Sequence, residues 1–297
     1  MRIIVLISLS LLVIVIPFIL DAAQAPVVDP SGIYAASRRR GGDGPATPTP
    51  RLADGTVNLG RESGEKGVWA LPGVQNFAAY TPDTPKGFRG GQRGSAANEP
   101  HIPFQPWAAA VYDYTSRNES KYDPEGFCFP PGGPRMMGTP FPAEIIQLPQ
   151  EKRIIMIFEG GTHIWREIFM DGRPHPPRDS IDSETWMGHS VGHWDGDTLV
   201  IDTTGYNEGT WLDFWGHPHT NLLHLVERLT RPNKQTLHYE ATIQDPGAYT
   251  KPWKVSWDIP WKTGFELKEY ICNENNIYQQ NVRDDFGQPY FGKPKEK

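Results

Sequence analysis

Between positions 144 and 272 the sequence alternates with a period of two. Runs rich in Ile, Val, Trp, Tyr and Thr recur at 144–148, 153–159, 163–170, 189–194, 197–204, 223–230, 236–243, 253–260 and 265–272, the signature of half-buried strands. Most consecutive runs are separated by turn chemistry: Pro149-Gln150-Glu151-Lys152, Gly160-Gly161, Asp195-Gly196, Pro232-Asn233-Lys234-Gln235 and Lys262-Thr263-Gly264. Such residues pre-set or tolerate the dihedrals of tight turns. Short connections make sequential strands antiparallel neighbours, and a meander of about nine strands must curl or close to remove its edges. The expectation is an all-β domain over 126–297, an antiparallel up-and-down barrel of the lipocalin-like kind, with a two-sheet sandwich as the other arrangement.

The chain before this domain has a different composition. With 29 Pro and 30 Gly in 297 residues, a helical bundle is excluded. Gly, Pro, Ser, Arg and Ala dominate from 26 to about 98, so 26–125 reads as extended or partly disordered, with Trp69, Leu71, Phe77 and Tyr80 available to pin it to the folded body. Pro106 opening Trp107-Ala108-Ala109-Ala110-Val111-Tyr112 predicts one short helix near 106–117. Residues 3–20 are apolar except for Ser8 and Ser10, follow Arg2 and lead into Ala23-Gln24-Ala25. This is a signal-peptide pattern over 1–25, implying export to the periplasm or beyond. Pro26 would follow the scissile bond and disfavours cleavage, so an uncleaved N-terminal membrane anchor is the alternative. Cys128 and Cys272, the two cysteines, then read as one disulfide; neither has the spacing of a thiolate metal site. A net charge of -6 and a pI near 5.9 give no general attraction for nucleic acid.

The strand phases place chemistry. A two-residue Asp195-Gly196 loop sets Trp194 opposite Asp197, hence His189 opposite Asp202 on one side of the sheet. A histidine facing a carboxylate is held in one tautomer, as in a general base or an oriented metal ligand; the plain alternative is a surface cross-strand pair. Three apolar phases are each interrupted by one charge: Arg166 between Ile164 and Ile168, Glu227 between Leu225 and Leu229, and Glu269 between Leu267 and Ile271. If these phases face inward, the charges must pair with one another or with a polar ligand. They are either an interior bridge or a ligand anchor. In the opposite phase, His224, Arg228, His238 and Glu240 read as a solvated face, with Arg228 near Glu240 or His238. Trp165, Trp194 and Trp257 are among many flat side chains that either stack on an aromatic ligand or build the core. His217 and His219 could chelate a divalent metal such as zinc, joined as third ligand by Asp213 of the same loop or by His189, although no HExxH arrangement accompanies them. No nucleophile elbow, phosphate loop or dinucleotide fingerprint is present.

The segments Cys128-Phe129-Pro130-Pro131-Gly132, Asp171-Gly172-Arg173-Pro174-His175-Pro176, Gly188-His189-Ser190-Val191-Gly192-His193-Trp194-Asp195-Gly196-Asp197, Gly216-His217-Pro218-His219 and Asp245-Pro246-Gly247-Ala248-Tyr249 resemble a group of exported proteins of soil and other environmental bacteria. The resemblance implies export and nothing about chemistry. The residues themselves lead to an exported barrel that binds a small apolar or aromatic molecule, with Arg166, Glu227, Glu269, Trp165, Trp194 and Trp257 around it. The competing expectation is a hydrolase, lyase or isomerase using His189 and Asp202 as the base pair, with Arg166 or a metal stabilising negative charge. A structural or partner-binding role carried by the N-terminal part is third.

Overall fold

The computed structural model describes residues 47–88, 94–118, 121–160, 164–178, 180 and 184–274. The expected signal segment and the stretch up to residue 46 lie outside them. Among the described residues no helix is long and apolar enough to cross a membrane.

Nine strands form one sheet that closes in a ring in sequence order. They are β1 (Gly67–Trp69), β2 (Ala143–Leu148), β3 (Arg153–Phe158), β4 (Trp165–Phe169), β5 (His189–Asp195), β6 (Thr198–Thr204), β7 (His224–Asn233), β8 (Thr236–Gln244) and β9 (Trp253–Thr263). Eight of these have sequence runs behind them. The ninth run, 265–272, forms no strand; it is irregular and largely exposed. Its place is taken by β1, from the segment expected to be merely extended, which pairs with both β2 and β9 and completes the ring. Gly67 is required there because a Cβ would stand 2.2 Å from the Trp261 ring. The sheet is mixed rather than strictly antiparallel, since β4 and β5 run parallel. A parallel pair needs a long crossover, and residues 170–188, broken by Pro174, Pro176 and Pro177, supply one that cannot turn as a hairpin.

The β5–β6 register differs from the expectation by two residues. Asp195 is still in the ladder, opposite Thr198, so Val191 faces Asp202 and His189 faces Thr204. Gly196, at φ +60°, and Asp197 make the turn instead of Asp195 and Gly196. A two-residue slip keeps every side chain on its face, so His189 and Asp202 remain on the same side, one diagonal step apart. In β7–β8 the expected neighbourhood holds, with Arg228 directly opposite Glu240.

Alternate residues fill the ring. Ile154, Met156, Ile168, Leu199, Ile201, Leu225, Leu229, Tyr239, Ala241, Val255 and Ile259 are all buried in one core. Both ends are covered by chain from outside the sheet. At the end formed by the β2–β3 and β5–β6 turns, residues 47–60 cross the opening: Gln147 bonds Leu59 N and Val57 O, and the buried Arg231 donates to the carbonyls of Asn58 and Gly60. Over the other end lies α1 (Pro106–Arg117), opened by Pro106 as the sequence predicts, with Tyr112 buried. Phe104 stacks on Tyr112 and meets Tyr249, which packs on Trp253 at the start of β9. Cys128 and Cys272 form the expected disulfide.

Candidate functional site

The charges in the interior form a closed pair. Arg166 donates to Glu227 through both terminal nitrogens and also to Thr203 Oγ1 (2.7 Å) and Ser190 Oγ (3.0 Å), while Tyr239 OH donates to Glu227 Oε1 at 2.8 Å. Side-chain exposures of 2% and 0% leave no room for a ligand between them. This is the bridge of the two alternatives: a buried ion pair whose remaining donors and acceptors are satisfied. Glu269 does not join it, being exposed in the irregular stretch after β9. Arg166 is also separated from His189 and Asp202, because interior and exterior residues alternate along each strand. The three tryptophans part company in the same way. Trp165 points outward at 60% exposure and Trp257 is buried, with its Nε1 on Met137 O. Trp194 is partly buried against the core.

His217 and His219 turn to different partners. His217 Nδ1 lies 2.6 Å from Asp213 Oδ2, and its Nε2 is 3.2 Å from Glu99 Oε2, close enough to attract but not aligned as a hydrogen bond. His219 Nε2 meets Thr210 Oγ1 at 2.7 Å. Among the described residues no three His, Cys, Asp or Glu side chains could hold a metal ion, so the expected Asp213, His217 and His219 set is corrected. Asp213 instead organises its loop, accepting from Phe77 N, Gly216 N and His217 N. Burial pulls the His217 pKa down, but Asp213 and then Glu99 outweigh it and hold it at about 9. Burial likewise lowers the pKa of His219, leaving it neutral at physiological pH.

An open cluster occupies the outer face of β5, β6 and β7. Asp202 accepts from His224 Nε2 at 3.0 Å and from His175 Nε2 at 2.8 Å, and His175 Nδ1 stands 3.0 Å from His189 Nδ1. His175 comes from the Pro-rich crossover, so it is placed by tertiary folding. With His175 Nε2–H given to Asp202, its Nδ1 is the acceptor for His189 Nδ1–H, and His189 Nε2 is left as the unprotonated nitrogen. Hydrogen bonds from His224 and then His175 hold the Asp202 carboxyl below the usual range. The bond to Asp202 raises the His224 pKa. Burial, then the neighbouring His175 and the charge of Arg173, lower that of His189. Phe169 stacks on His189, and Arg173 lies over the Phe169 ring at 3.7 Å. Chemically, the arrangement presents a neutral imidazole able to accept a proton, braced by a carboxylate two bonds back.

A cleft of about 300 Å3 opens at the end of the ring crossed by residues 47–60. Trp194, Met170 and Ile154, all from the interior phase, form its apolar side, while Lys152, Arg153 and Asp171 stand around it. Residues 52–56 form the facing wall, held there by Arg51 on Asp197.

Sequence reasoning brings His189, Asp202 and Trp194 to open positions but misses His175, His224's bond to Asp202, and Glu99. His224 had a usable signal, since its outward phase matches that of Asp202. His175 had none beyond its place in a Pro-rich loop. No protein-family model, curated protein or solved structure matches the chain.

Proposed function

We propose that the chain binds a small molecule with a flat apolar or aromatic body in the cleft at the ring end. One observation carries this reading: interior-phase Trp194, Met170 and Ile154 are reached from outside at a cleft of about 300 Å3, the lower end of the usual range for ligand sites. An indole face offers stacking in addition to apolar burial. Lys152, Arg153, Asp54 and Asp171 bring two charges of each sign to the same cleft, and Arg153 is already paired with Glu151 and Glu167, so the polar groups would orient a ligand without selecting the sign of its charge. In this reading the ring serves as a lipocalin-like barrel does, with the ligand at one mouth rather than in the centre, because the centre is occupied by Arg166 and Glu227. The exported location implied by the leader pattern suits a carrier or scavenger of such molecules.

The test is a thermal-shift screen of the full chain against planar aromatic and aliphatic compounds, with and without Trp194→Ala. A ligand that binds only the folded state raises the melting temperature. Planar compounds are expected to shift it, and Trp194→Ala to weaken binding roughly tenfold. Shifts that survive Trp194→Ala unchanged, or none from any planar compound, overturn the reading.

A further inference from the structure

A second concave site lies on the far side of the molecule, built almost entirely from chain outside the sheet. It is a cleft of about 290 Å3 between residues 72–75, the wall from Glu125 to Pro140, and Phe214. Its polar group is a buried trio. Arg135 donates to Asp123 Oδ1 at 2.8 Å and Oδ2 at 2.6 Å, and its NH2 is 2.7 Å from Glu125 Oε2. The side chains of Arg135 and Asp123 are each 5% exposed, whereas Glu125 keeps 22% and lines the cleft.

The charge count decides what such a place can hold. Two carboxylates face one guanidinium, which leaves one negative charge in excess. Asp213, the next acid to act on Arg135, does not change the count, because its own charge is matched by His217. The excess rests on Glu125, since Asp123 takes the bidentate fork of Arg135 and Glu125 takes a single contact. Burial pushes the Glu125 carboxyl up, with Asp123 adding to it and Arg135 opposing it. A partly desolvated carboxylate with incomplete compensation is stabilised by a cation brought to it. Around it the lining is mixed: Pro72, Val74, Pro140 and the Phe214 ring, which is 38% exposed, form the apolar part, while Gln75, Thr139 and the Asp123-paired Arg135 also reach it. An aromatic face beside a carboxylate is a further attraction for a cationic head.

We propose that this cleft binds a small organic cation, a primary ammonium on a compact apolar body, with Glu125 as its counter-ion and Phe214 and Pro140 against the body. The site is separate from the ring-end cleft and does not depend on it. Glu125 and Arg135 are fixed by the short 3-10 turns Pro124–Phe127 and Pro134–Gly138, and the first of these is capped by Cys128 of the disulfide. The counter-ion is thereby held in place before the ligand arrives, which lowers the ordering cost of binding.

The probe is benzylammonium, titrated calorimetrically into the full-length, disulfide-bonded protein near neutral pH, with benzyl alcohol and benzoate as neutral and anionic partners of the same shape. Benzylammonium alone is expected to bind, more weakly as salt is raised. Glu125→Gln should weaken it roughly tenfold or more, the loss expected for one hydrogen bond to a charged group. Phe214→Ala, on the exposed wall, provides a second variant that does not disturb the buried trio and should also weaken binding. Trp194→Ala should leave it unchanged. Equal binding of the alcohol or benzoate, no heat from benzylammonium at millimolar concentration, or unaltered binding by both Glu125→Gln and Phe214→Ala overturns the assignment.

Discussion

Asp202 is the hub of a chain of hydrogen bonds that reaches three imidazoles. Its bonds to His224 and His175 stabilise the charged form of its own side chain and raise the His224 pKa. His189, one bond further out, feels burial first, then its neighbour His175 and the positive charge of Arg173, so its pKa falls below the ordinary 6.5. The consequences for stability have opposite signs. The His224 contribution is present below its unfolded pKa and fades as pH rises through the raised folded value, whereas that of Asp202 is present above its unfolded pKa and fades as pH falls through the lowered one. A neutral His189 adds to the second trend, because the unfolded chain takes up that proton first as pH falls. Proton NMR of the imidazole resonances checks the arrangement: His224 should titrate above 6.5 and His189 below it. Asp202→Asn should bring His224 down and leave His189 low. A His189 midpoint at or above 6.5 would mean it carries the proton, and the base reading of this cluster would fail.

At the scale of elements, the loop between β6 and β7 is fastened to α1 and to the 3-10 turn at Phe77 by one buried ionic network. His217 lies between Asp213 and Glu99, Tyr112 of α1 donates to Glu99 Oε1, and Asn76 Nδ2 donates to the same oxygen. All are buried to 2% exposure or less, so the proton on His217 stabilises the docking of three elements at once. Its pKa of about 9 against an ordinary 6.5 fixes the sign: this stabilisation is complete below pH 6.5 and is lost as pH rises toward 9. Urea unfolding across that window should show stability falling by a few kcal/mol in order of magnitude, and His217→Gln should be less stable at pH 6.5 and flatten the slope. A wild-type slope as flat as the variant's would count against a charged His217. Little of this network was legible beforehand. Asp213 and His217 stand four apart and signal a shared loop, which is what made a metal site plausible, but Glu99 and Tyr112 lie more than a hundred residues upstream with no pattern linking them. The strands were legible because burial of one face imposes period two on the sequence. The parallel β4–β5 pair was not, since strand direction depends on the crossover's path, and neither was β1, whose three residues are too few to show a period.

For the whole molecule, the question is what the disulfide adds to a ring that already closes. The hydrogen-bonded sheet ends at Thr263, nine residues before Cys272, and both neighbours of β1 are in place without the bridge. Beyond Thr263 the chain runs back along the outside, with Glu266 on Lys66, Lys268 N on Glu159 and Tyr270 against Phe141, before Cys272 reaches Cys128. The bond therefore fastens a tail onto the turn carrying Glu125, and no strand of the ring depends on it. Its effect on global stability comes chiefly through the unfolded chain, where a closure across a sequence separation of 144 removes conformational entropy equivalent to at most roughly 5 kcal/mol. Reduction, or Cys128→Ser with Cys272→Ser, should lower the urea midpoint while leaving the far-ultraviolet β spectrum and the Trp194 cleft intact. Because the tail lies next to Glu125, the same reduction should loosen that turn and weaken benzylammonium more than any ligand of the ring end. If reduction instead abolished the β spectrum under native conditions, the ring would owe its closure to the covalent bond, and the packing of β1 between β2 and β9 would be insufficient on its own.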